Sequence, residues 1–139
     1  MPHSIKVFLL TLPVFLVLDF TWLAVLMAGF YKTALGHLAR TSGGALTPNW
    51  PAAAVVYLLA VAGLVAFVLP RIAPAAPLWQ TCAWGALFGL VSYGLYDFTN
   101  YSTLNAWPFR LTLVDTLWGA TVCGLTSLAM RAIDAWLVR

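Results

Sequence analysis

The chain has 139 residues, 63% of them hydrophobic and only 8% charged, with seven Lys and Arg against four Asp and a net charge of +3. A soluble domain is about one-quarter charged, and a small one leaves too much surface wet to hide this much hydrocarbon. A water-soluble fold is therefore excluded. So is the nucleic-acid partner that a basic chain suggests, because the cations stand at the ends of apolar runs, where they anchor helices in lipid.

In chain order, residues 1–6 form a short basic cap. Residues 7–31 are apolar enough to be mistaken for a signal peptide. Their length, their interruption by Asp19 and Trp22, and the lack of a small-x-small site at their end predict a retained transmembrane helix instead. About 20 apolar residues suffice to cross the hydrocarbon core. Pro13 lies inside this run and predicts a modest kink, since proline frees a backbone carbonyl. Residues 31–50 are the one long polar connection. Tyr31, Leu35 and Leu38 recur at helical spacing, so residues 32–40 read as a surface helix, followed by a flexible Thr-Ser-Gly-Gly.

Asn49 or Trp50 stands near the cap of the next helix, with Pro51 suited to its first turn. Residues 52–69 form a second span whose one sizeable polar group is Tyr57. Pro70, Pro74 and Pro77 make a stiff turn. Residues 78–96 form a third span, in which Gly85 and Gly89 make a G-x-x-x-G that favours close helix contact. Residues 97–110 read as a short aromatic connection and 111–130 as a fourth span. Cys82 and Cys123 lie in apolar runs and read as buried free thiols. No Cys/His cluster and no nucleotide loop is present, so neither a metal site nor a cofactor is expected.

The expected fold is all-α: a single-domain integral membrane four-helix bundle, spans about 7–31, 52–69, 78–96 and 111–130, with both termini on the same side. That side carries Lys6, Arg71, Arg131 and Arg139, and the other carries Lys32, Arg40 and Arg110. The positive-inside rule then favours cytoplasmic termini by a single charge.

The chemistry concentrates in residues 93–118 and in the first helix. Three of the four acids, Asp19, Asp97 and Asp115, lie within or at the ends of apolar spans. A carboxylate in the bilayer costs several kcal/mol, faces the protein interior and has a partner. At 1.5 Å per residue, Asp115 sits roughly 7 Å into its helix and Asp19 roughly 15 Å from the end of its span, both from the same membrane side. The three acids are thus expected to line one cavity at staggered depths. Asp19 with Trp22 and Asp115 with Trp118 repeat a D-x-x-W spacing that puts acid and indole on one helix face. Tyr93, Tyr96, Asn100 and Trp107 complete the candidate binding set.

Each of these residues also has a plainer reading. Asp19 can hold a neighbouring helix through a Thr, Tyr or Trp. Asp97 can organise a turn or cap a short helix. Asp115 can pair with Arg110, and the tryptophans can simply fill space. His3 and His37 are isolated and read as solvated.

The string Y-D-F-T-N-Y-S-T-L-N-A-W-P, then L-T-L-V-D-T-L-W-G, with D-F-T-W in the first helix, resembles a bacterial family of predicted membrane proteins, domain of unknown function 2177. The matching positions are Asp19 and Trp22; Tyr96, Asp97, Thr99 and Asn100; Trp107 and Pro108; and Val114, Asp115, Trp118 and Gly119. The resemblance covers essentially the whole chain. It implies a small four-helix, multi-pass protein of the bacterial inner membrane and brings no activity with it.

Three functions are compatible with these residues. A binding or transport module for a small cationic or amphiphilic molecule ranks first, since three acids without a firm cationic partner suit a cation, proton or amine. Transport through so few helices would call for a homodimer. A structural or accessory subunit docking a membrane partner ranks second. A lipid-modifying membrane enzyme using paired Asp as acid and base ranks third, so the question of catalysis stays open.

Overall fold

The computed structural model describes all 139 residues. Helix α1, His3–Phe20, continues as a π-helical stretch, Thr21–Leu26. A short helix α2, Ala28–Leu35, follows and ends in a 3-10 turn, Gly36–Leu38. Strands β1, Thr41–Ser42, and β2, Ala45–Leu46, form a small antiparallel hairpin with Thr41 opposite Leu46. Its turn is Gly43-Gly44, at φ 56° and 80°, a left-handed geometry that glycine adopts without strain.

Helix α3, Trp50–Gly63, is prolonged by a π-helical stretch, Leu64–Val68, and a 3-10 turn, Leu69–Arg71. Asn49 caps its start by accepting from the Ala52 amide at 3.2 Å, with Pro51 in the first turn, where a missing N–H costs nothing. Pro70 ends the segment, and Arg71 donates to the Phe67 carbonyl at 2.6 Å. Helix α4, Leu78–Thr103, and helix α5, Phe109–Leu137, complete the chain.

One face of each long helix is buried at helical spacing. On α1 it carries Val7, Thr11, Phe15 and Asp19; on α4 it carries Thr81, Gly85, Gly89 and Asp97. Neighbouring helices run antiparallel. His3 meets Asp134 at one end of the α1–α5 pair, at 2.6 Å, and Asp19 meets Trp118 toward the other. Helix α1 meets α3 through Phe15 and Tyr57, ring centroids 6.1 Å apart. The α4–α5 contact is the tightest. A Cβ on Gly89 would overlap the Gly119 carbonyl, and one on Gly85 would fall 2.5 Å from the Cys123 carbonyl. The Gly85–Gly89 spacing therefore does bring two backbones together. Cys82 and Cys123 are free thiols.

Only 24 of the 139 residues are buried, and large apolar side chains such as Val17, Leu59, Leu95 and Leu117 point outward, each about two-thirds exposed. Such an outer surface is suited to lipid. Three helical runs are long and apolar enough to cross a membrane: His3–Leu26, Trp50–Arg71 and Phe109–Leu137. Helix α4 has 26 residues, ample for a crossing at 1.5 Å each, but Gln80, Ser92 and Asp97 dilute its apolar character.

Several expected boundaries move. The first run does not reach Tyr31 as one helix. It breaks at Met27 (φ −122°, ψ 10°), and Tyr31 belongs to α2, which displaces the surface helix expected at 32–40. The third helix does not end at Tyr96. It runs on to Thr103, so Asp97 and Asn100 are helical rather than in a loop. No proline intervenes before Pro108, and the Ser102 and Thr103 hydroxyls both donate to the Thr99 carbonyl at 2.8 Å, securing the last turn. The connection shrinks to residues 104–108.

Candidate functional site

Asp19 closes the buried stripe of α1 and is 4% exposed. Each of its oxygens has one donor. Tyr57 of α3 donates its hydroxyl to Oδ2 at 2.8 Å, and Trp118 of α5 donates its indole N–H to Oδ1 at 2.8 Å. This acid therefore ties three helices together, which is the plainer of its two expected roles.

Asp115 sits differently. Tyr31 donates its hydroxyl to Oδ1 at 2.5 Å and accepts from the Trp22 indole N–H at 3.1 Å. The two D-x-x-W motifs are thus crossed. Trp118 serves the acid of α1 directly, and Trp22 serves the acid of α5 through Tyr31. The two indoles stack between these links, centroids 4.3 Å apart and planes within 4°. Arg110 makes no ion pair with Asp115. Its guanidinium lies over the Phe30 ring, 5.6 Å from the centroid.

Asp97 is wholly buried, and neither of its oxygens meets a donor. It caps nothing. Its carboxyl lies within electrostatic reach of the Asp115 carboxyl. Two adjacent charges in a dry site repel strongly. The one contact between an acid and a basic side chain, Asp134 with His3, lies at the far end of α1 and α5. The Asp97–Asp115 pair therefore has no cationic side chain to balance it. No third Asp, His or Cys joins the two in a metal-binding group.

Tyr93 and Tyr96 both lie within electrostatic reach of Asp115. Tyr93 is half-buried with its ring against Gly119, and it lies within electrostatic reach of Asp19 and Asp115. Tyr96 is exposed and meets Trp107 edge-on at 5.9 Å, with Asn100 one turn further along α4. The Trp107 indole N–H and the Thr116 hydroxyl are buried without partners. A polar depression of about 430 Å³ lies at Arg40, Thr41 and Asn49, and an apolar groove of about 270 Å³ runs between α1 and α3 past Leu16, Phe20 and Tyr57; neither is lined by an acid.

Three participants lie outside the set expected from sequence. Tyr57 had a signal, being the one sizeable polar group in an otherwise apolar span. Tyr31 had only its place at the end of a run, and Thr116 had none beyond adjacency to Asp115.

The outward apolar surface, the three long apolar runs and the buried acids define an all-helical membrane protein. The model of the predicted membrane protein family DUF2177 matches residues 4–131, and the chain belongs to that family. No curated protein and no solved structure matches it.

Proposed function

We propose that this is a four-helix-bundle protein of the bacterial inner membrane that binds a small organic cation at the Asp97–Asp115 carboxyl pair. Helix α4 is the fourth crossing on this reading. The His3–Asp134 contact supports placing both termini on one side, and the one-charge excess at that end favours the cytoplasm. The observation that carries the binding reading is Asp97, wholly buried with both oxygens undonated, within electrostatic reach of a second carboxyl and paired with no cation. A buried acid in lipid calls for a partner, and an ammonium group supplies positive charge and several donors together. Tyr96 and Trp107 stand near the same end of the helices, and aromatic faces attract organic cations. A homodimer or a further membrane subunit would extend binding to transport.

A structural role has one observation in its favour, the fully donated carboxyl of Asp19, and we assign that role to Asp19 alone. Purified protein in mild detergent, titrated with methylammonium and octylammonium, should show a saturable change in tryptophan fluorescence. Asp97→Asn and Asp115→Asn should abolish it while helix content and unfolding temperature hold. A response that survives Asp97→Asn, or no saturable response in the parent protein, overturns the binding reading.

A further inference from the structure

The short helix α2 bears on how that site is reached. It has only eight residues and is set off by the break at Met27 on one side and by Gly36, at φ 51°, on the other. Two ties hold it to α5. One is the Tyr31 hydroxyl on Asp115 at 2.5 Å, and the other is the Phe30 ring under the Arg110 guanidinium at 5.6 Å. Tyr31 is 7% exposed and is the one buried residue of its helix. One buried phenol thus ties this short helix to one of the two carboxyls.

The same phenol competes with any ligand. It occupies Oδ1, one of the two Asp115 oxygens open to a cation. Its removal leaves Trp22 without its acceptor, so opening is felt at the indole stack as well. We infer that α2 is a lid latched by the Tyr31–Asp115 hydrogen bond, and that this latch controls entry to the carboxyl pair. The ligand half of this inference rests on the cation-binding reading; the latch itself does not.

Hydrogen exchange followed by mass spectrometry separates the two. Tyr31→Phe should speed amide exchange in residues 28–35 about tenfold, equivalent to losing about 1.4 kcal/mol of local protection, while α4 and α5 stay protected. Arg110→Ala, which removes the second tie, should give a smaller increase in the same residues. Unchanged exchange in Tyr31→Phe overturns the latch, with no ligand involved. Methylammonium should bind Tyr31→Phe more tightly than the parent, because the competitor is gone. Weaker binding would make the phenol a ligand and overturn its role in controlling entry. Binding that survives Asp97→Asn sinks the carboxyl site instead, and leaves the exchange result to decide the lid.

Discussion

The acids of this chain have the same side-chain chemistry and different tasks, set by what donates to them. Asp19 accepts one hydrogen bond on each oxygen and is 4% exposed. Removing one donor leaves a buried carboxyl oxygen without its partner, at a cost of about 1–3 kcal/mol. Tyr57→Phe and Trp118→Phe should each lower stability by that amount in denaturant unfolding in detergent. The two effects should fall short of additive, because both act through one carboxyl. An unchanged midpoint in both variants would mean that Asp19 is held by something else. Asp97 should behave in the opposite way. Asn at that position carries no charge and brings an amide donor, so Asp97→Asn should keep or raise the unfolding midpoint even as it removes the proposed cation site.

Among the elements, α4 and α5 depend most on the absence of side chains. A Cβ on Gly89 overlaps the Gly119 carbonyl, whereas one on Gly94 meets only the Thr116 methyl at 3.5 Å. Backbone cannot yield as a flexible side chain can. Gly89→Ala should therefore destabilise by about 1–3 kcal/mol as overpacking does. Gly94→Ala should stabilise by about 0.5–1 kcal/mol, as alanine does within a helix. Thermal unfolding of the two variants side by side checks the contrast, and equal effects would show that the α4–α5 contact is not set by backbone approach. The G-x-x-x-G of α4 announced this contact. Nothing local announced α2, because a run that stays apolar from 7 to 31 gives no sign of where its helix breaks.

For the molecule as a whole, the number of crossings fixes which faces meet water. Three crossings put the two ends of the chain on opposite sides, and four put them together. The His3–Asp134 contact, between side chains about 40% exposed, is a weak tie worth at most about 1 kcal/mol, but it joins the ends in space. With Cys82 and Cys123 replaced by Ala, single cysteines at Ser4 and Ala135 should react with a membrane-impermeant maleimide from the same side, and one at Ser42 from the other. Opposite reactivity of Ser4→Cys and Ala135→Cys would remove α4 as a span, and the four-helix reading with it.

Composition and periodicity were enough to place this chain in lipid, to locate the starts of its long helices within a few residues and to single out Asp19, Asp97 and Asp115. Hydrocarbon content and helical spacing are local properties, and an acid inside an apolar run is conspicuous wherever it points. The pairing of donors with acceptors is not local. That Trp118 serves Asp19, that Trp22 reaches Asp115 through Tyr31, and that Asp97 is left with another acid all follow from how antiparallel helices register across distances of up to 99 residues in the chain. Register is set by glycine contacts and ring stacking between helices, and those contacts separated one structural carboxyl from a pair left without a cation.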